Sequence, residues 1–86
     1  MTYSVSYLPI VAEKDIPKLP VTMRERIATA IEQRLTTDPL RYGKPLQFNL
    51  KGHRQLRVGD YRIIYRISED MVIVSAIKHR KDVYED

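Results

Sequence analysis

The 86-residue chain has no cysteine. That removes disulfides, thiolate metal sites and a cysteine nucleophile together. No stretch approaches the ~18 consecutive apolar residues of a membrane-spanning helix. The opening MTYSVSYLPIVAEKD lacks the basic start and long apolar run of a secretory signal. A cytoplasmic location without a membrane partner is therefore expected. Internal repeats and low-complexity tracts are absent too. What remains is enough for a single domain, residues 1–86, with one modest core that buries about 60–65 % of the unfolded chain's surface. With 43 % hydrophobic and 30 % charged residues the composition is globular rather than disordered.

Acidic residues are scarce in one place only. Residues 1–40 balance Lys14, Lys18, Arg24, Arg26 and Arg34 against Glu13, Asp15, Glu25, Glu32 and Asp38. Residues 41–66 set Arg41, Lys44, Lys51, Arg54, Arg57, Arg62 and Arg66 against Asp60 alone. From residue 67 onward acids again exceed bases, so the overall charge of +4 comes from the central segment. A patch of this kind attracts phosphate backbones or an acidic protein.

TYSVSYL (2–8) alternates Tyr3, Val5 and Tyr7 with polar neighbours, which predicts a strand. PIVAEKDIPKL (9–19) predicts a short helix opened by Pro9 and kinked or ended before Pro17. Met23, Ile27, Ala30, Ile31 and Leu35 form the apolar stripe of a second helix, with Thr22 and Glu25 spaced as a capping box. DPLRYGKP (38–45) predicts a loop. Three strands follow, joined by turns at Gly59-Asp60 and Glu69-Asp70. The expected fold is α+β in the order βααβββ, with both helices packed on one face of a small, mainly antiparallel, four-stranded sheet.

A two-residue turn sets the register of the first hairpin. Val58 should face Tyr61, Arg57 should face Arg62, Leu56 Ile63, Gln55 Ile64, Arg54 Tyr65 and His53 Arg66. Leu56, Val58, Tyr61, Ile63, Tyr65 and Ile67 then share the core face. His53, Gln55, Arg57, Arg62, Ile64 and Arg66 share the other. Carrying the same count through the second turn puts Ile77 beside Arg62 and His79 on that face. Opposed like charges cost about 0.2–1 kcal/mol per pair. No carboxylate stands on the hairpin face to offset them, and uncompensated local conflicts tend to mark functional sites. Phosphate is the anion that arginine forks fit best. Lone histidines are weak signals, but His53 and His79 on an arginine-lined face are candidate proton carriers. Arg54 and Arg66 also read as ordinary charges that keep a sheet edge soluble.

The run KPLQFNLKGHRQLRVGDYRIIYRI, an acidic turn, an apolar strand and a closing HRKDVY resemble the RelE branch of the RelE/ParE toxin superfamily of type II toxin–antitoxin systems. KLP before the second helix extends the resemblance over nearly the whole chain. It implies a ribosome-dependent endoribonuclease that cuts mRNA in the ribosomal A site by 2′-hydroxyl attack, with no metal or other cofactor. Arg62 would stabilise the transition state, His79 would be the general acid, and Arg80 and Tyr84 would be the basic and aromatic tail residues. Relatives carry two lysines on the strand before the turn, where this chain has His53 and Gln55; His53 would then be the base. Lys51, Arg54, Gln55, Arg57, Lys78 and Lys81 are the expected RNA and phosphate contacts. The resemblance also implies a cognate antitoxin, bound in a toxin–antitoxin hetero-oligomer. Two alternatives stand beside this one: a ParE-like inhibitor of DNA gyrase, and a non-catalytic RNA-binding or degenerate toxin.

Overall fold

Alternation over the first strand places Tyr3, Val5 and Tyr7 against the core from β1 (Ser4–Tyr7), with Ser4 and Ser6 turned out. The structure, a computed structural model, describes residues 2–47 and 50–82. Pro9 opens a helical segment over 9–15, whose Val11–Asp15 portion is π-wound: the Ile16 N–H donates to the Val11 carbonyl, 2.9 Å away. Pro17 cannot continue it. The main helix, α1 (Val21–Ala30), runs on into a π-wound turn at Ile31–Leu35.

The expected capping box is not formed. Pro20 is the N-cap and no side chain caps the helix. The helix starts at Val21, so Thr22 lies inside its first turn rather than ahead of it. The segment 38–45 is also more ordered than a loop. It holds α2 (Pro39–Tyr42), with Pro39 at the first helical position where no N–H is missed, and β2 (Lys44–Pro45).

The remaining strands are β3 (Arg54–Val58), β4 (Tyr61–Ser68) and β5 (Met71–His79). The class is α+β as expected, but the sheet has five strands, in the order β1-β5-β4-β3-β2, and is mixed. β1 lies parallel to β5, and the other pairs are antiparallel. The strand missed in the sequence contains a proline, which a sheet tolerates only at an edge or a strand end. Two residues also carry no alternation to read.

One core fills the space between the helical segments and the sheet. Val11, Leu19, Ile27, Ala30, Ile31 and Leu35 meet Leu56, Val58, Ile63, Tyr65, Val72, Val74 and Ile77. Fully buried Tyr65 closes one end by donating its hydroxyl to the Pro39 carbonyl at 2.6 Å. Gly43 passes so near that a Cβ there would lie 1.8 Å from the Tyr65 hydroxyl oxygen. Among the described residues no helix is long and apolar enough to cross a membrane.

Candidate functional site

The first hairpin has the expected register, from Val58 opposite Tyr61 to Arg54 opposite Tyr65. Gly59 takes φ of 59° at the first turn position, where a non-glycine residue would be strained. The second hairpin departs from the simple count. Pairing runs from Ser68↔Met71 to Tyr65↔Val74, then resumes at Ile64↔Ala76, so Ser75 is an extra residue on β5. Its hydroxyl donates to the Ile64 carbonyl at 3.2 Å. One inserted residue inverts the facing of everything after it. Ile77 therefore faces Ile63 instead of Arg62, and His79 faces Tyr61 on the helix side instead of joining the arginine face.

The residue that the bulge brings to Arg62 is Lys78. Arg57, Arg62 and Lys78 are thus adjacent in a row across β3, β4 and β5, with the Lys78 side chain turned round the uncovered edge of β5 so that its Nζ lies 3.8 Å from Asp15. Strands are spaced ~4.8 Å apart, so the row is ~10 Å wide. Arg57 and Arg62 face each other directly, a like-charge pairing that costs ~0.2–1 kcal/mol, whereas Lys78 has Asp15 as a counter-charge. The next row along the strands is milder: Lys44, Gln55, Ile64 and Ala76.

Other sequence candidates gather at the same end of the sheet. The His79 ring meets Tyr61 edge to face, with centroids 5.1 Å apart. Its Nδ1 accepts from the Lys81 backbone N–H at 3.2 Å, which leaves the proton of the neutral ring on Nε2. The Arg80 N–H donates to the Asp60 carbonyl at 2.7 Å, and its guanidinium lies 3.8 Å from the Asp60 carboxylate. The turn Arg80–Asp82 is thereby tied to the hairpin tip. Tyr84 lies outside the described residues.

Three candidates stand apart from the row. Arg54 turns to the helix side, where its guanidinium donates to the Leu40 and Gly43 carbonyls, both at 2.6 Å. It caps the end of α2 instead of facing outward. His53 is four residues from Arg57, ~13 Å along an extended strand, and its buried Nδ1 has no hydrogen-bond partner. Lys51 is exposed in the turn before β3.

The sequence reading passed over Asp15. It is only 7 % exposed, and its Oδ2 accepts the Ile77 N–H at 3.0 Å. β1 covers β5 only from Met71 to Val74, so the carboxylate takes up a backbone donor on the uncovered edge. Its Oδ1 lies 3.8 Å from Lys78 Nζ. The signal was available: Val11, Asp15 and Leu19 recur at helical spacing, which puts a carboxylate on a buried stripe. An open groove of about 640 Å³ separates α1 from the end of β3, bordered by Arg26, Arg34 and Arg57 with Glu25. No group of three or more His, Asp or Glu side chains that could hold a metal ion occurs among the described residues. Burial raises the Tyr65 hydroxyl above its ordinary pKa, partly offset by Arg54, and raises Tyr7 with help from Glu32.

Comparison with known proteins places this arrangement in a family. Residues 11–84 match the model of the ParE toxin of the parDE type II toxin–antitoxin system. Toxin RelG of Mycobacterium tuberculosis is 35 % identical over 86 residues, spanning 98 % of each chain. Toxin RelE3 of Methanocaldococcus jannaschii is 32 % identical, over 84 % of this chain and 85 % of its own. In the RelBE2 toxin–antitoxin complex from M. tuberculosis, a chain 33 % identical to this one superposes with a TM-score of 0.85, over 95 % of both. The chain belongs to the RelE/ParE superfamily of toxins from type II toxin–antitoxin systems.

Proposed function

We propose that this toxin is an mRNA endonuclease that acts on messages held in the ribosomal A site. The observation that carries the reading is the row Arg57–Arg62–Lys78, three cations brought side by side across three adjacent strands. A scissile phosphate seated there has Arg62 at the centre, where the extra negative charge of a pentacoordinate phosphorane is best stabilised. The 2′-hydroxyl oxygen forms the new bond to phosphorus, its proton passes to a base, and the 5′-oxygen leaves with a proton. The products are a 2′,3′-cyclic phosphate and a 5′-hydroxyl.

The resemblance assigns the acid to His79, whose ring stands on the helix side of β5 against Tyr61 and not on the row's face, so it reaches the leaving oxygen only around the end of β5. The resemblance would make His53 the base, but ~13 Å from Arg57 along β3 it is beyond hydrogen-bond reach of a 2′-hydroxyl beside a phosphate on the row. Arg80 and Tyr84 would steady the message, and Lys51, Gln55 and Lys81 would extend contact along the backbone. No step calls for a metal or cofactor. A cognate antitoxin would cover the cationic surfaces in a hetero-oligomer, a reading supported by the mycobacterial complex. Synthesis and action in the cytoplasm complete the proposal.

The test is primer extension on a message translated in vitro with the purified protein, with and without ribosomes. Cuts confined to ribosome-bound message, and lost with Arg62→Ala while circular dichroism is unchanged, are expected. A folded Arg62→Ala protein that still cuts would overturn the assignment. The match to the ParE model supports a second reading, inhibition of DNA gyrase. Loss of supercoiling with purified gyrase, in the absence of any mRNA cleavage, would favour it.

A further inference from the structure

The reaction as described makes no use of the open groove of about 640 Å³ between α1 and the end of β3. Three arginines border it. Arg26 lies on α1 and Arg34 on the π-wound turn that continues it, eight residues or ~12 Å further along. Arg57 comes from β3, where β2 has already stopped at Lys44 opposite Gln55 and leaves the strand's edge open among the described residues. Among the described residues Arg26 and Arg57 pair with no carboxylate, although Glu25 stands in the same lining. The Arg34 guanidinium lies 5.9 Å from the centre of the Tyr42 ring. That contact uses a face of its plane and leaves the N–H edge to donate.

The lining narrows the choice of occupant. Its large apolar side chains are confined to Val58, with Ala30 the only other apolar one, and both residues are buried. A protein partner therefore finds no pocket for the aliphatic or aromatic anchor that supplies most of an interface's affinity. A chain of phosphates needs no such anchor, because guanidinium forks grip its oxygens in pairs and affinity comes from the charge neutralised. No aromatic ring lines the groove, so it gives bases nothing to stack on. Such a surface positions a strand without reading its sequence. Arg57 belongs both to this groove and to the row, which joins the two into one cationic track.

We propose that this groove carries the single-stranded message flanking the cleaved phosphate, with Arg26 and Arg34 each holding one of its phosphates whatever the bases are. The idea rests on the nuclease reading. The strand leaves the row past Arg57, rounds the open edge of β3 and follows the helix. RNA too short to leave the row gains nothing from the groove. The step is binding only; no bond is made or broken there.

The experiment uses the full chain and two labelled RNAs of mixed sequence, a trinucleotide and a dodecanucleotide. Both are fully 2′-O-methylated, so that no 2′-hydroxyl can attack. Binding is followed by anisotropy across a salt series. With ~0.7 added to the slope of log K against log salt per phosphate neutralised, the two groove arginines should make the dodecanucleotide steeper than the trinucleotide by at least ~1.4. Arg26→Gln and Arg34→Gln, both at exposed positions, should each flatten the dodecanucleotide slope by ~0.7 and leave the trinucleotide unchanged. Scrambling the dodecanucleotide should change its affinity less than twofold. Equal slopes for the two lengths, or variants that bind the dodecanucleotide as the parent does, would overturn the groove as the path of the message. So would variants that lose binding to vacant ribosomes alone, which would give the groove to ribosomal RNA. Amide NMR shifts at Thr29 and Gln33 from a hexaglutamate peptide, with none from the dodecanucleotide, would give it to an acidic protein segment and overturn it too. A protein that never cuts translated message yet keeps the extra slope would overturn the nuclease reading and leave the groove standing. One that cuts but shows no extra slope would overturn the groove alone.

Discussion

Replacing Arg57 by Gln should make the protein more stable and worse at holding RNA. The substitution removes the like-charge pairing with Arg62 across the hairpin. Its relief is worth ~0.2–1 kcal/mol. An 86-residue domain has a total stability of ~4–13 kcal/mol at 0.05–0.15 kcal/mol per residue. The gain is therefore measurable, ~1–8 °C in Tm for a domain of this size. It should shrink at 1 M salt, where the screening length is ~3 Å, shorter than the spacing of the two side chains. RNA binding should move the other way. Each phosphate neutralised on single-stranded RNA contributes ~0.7 to the slope of log K against log salt, so Arg57→Gln should flatten that slope by ~0.7. The two assays are urea denaturation at low and high salt, and anisotropy of a labelled single-stranded RNA across a salt series. A variant that is less stable at low salt, or whose binding slope matches the parent's, would refute the row as an anion site held under strain.

Further outcomes are expected. Gly43→Ala should destabilise by ~1–3 kcal/mol through overpacking, because the new Cβ meets the Tyr65 hydroxyl oxygen at 1.8 Å and Cζ at 2.7 Å. Tyr65→Phe should cost ~1–3 kcal/mol by orphaning the Pro39 carbonyl; the double variant should cost at least ~0.5 kcal/mol less than the sum, and strict additivity in denaturant melts would exclude the contact. Tyr65 and Tyr7 titrate above 10.0 in the folded state, chiefly through burial. Above the unfolded value the unfolded chain then binds fewer protons, so the stability they contribute is complete below pH 10 and is lost as pH rises through their folded pKa values. Alkaline denaturation should begin later in Tyr65→Phe than its neutral-pH stability alone predicts. Glu69 has φ of 57°, so Glu69→Gly should stabilise by ~0.5–1 kcal/mol, read as a higher urea midpoint with unchanged m.

Much of the site was written in local patterns. Arg57 opposite Arg62 follows from Gly59 and a two-residue turn, since a tight turn leaves a hairpin one register. The stripe from Ile27 to Leu35 likewise placed the main helix, and Pro17 ended the segment before it. Arg54 shows where such patterns stop. Its parity put it opposite Tyr65, but its hydrogen bonds to Leu40 and Gly43 depend on a short helix that two prolines and a glycine disguised as a loop.

The sequence alone therefore determined the α+β class, the hairpin and its opposed arginines, and a resemblance that the family comparison bears out. Periodicity and turn chemistry act over a few residues and need no knowledge of the rest of the chain. Only the tertiary structure decided that β1 lies parallel to β5, that a two-residue strand closes the far edge, and that Asp15 holds the Ile77 N–H. It also decided which residue of IleLysHis meets Arg62. That depends on one extra residue, Ser75, which sits where the pairing of β1 with β5 ends at Val74, and a single insertion turns every later side chain to the opposite face.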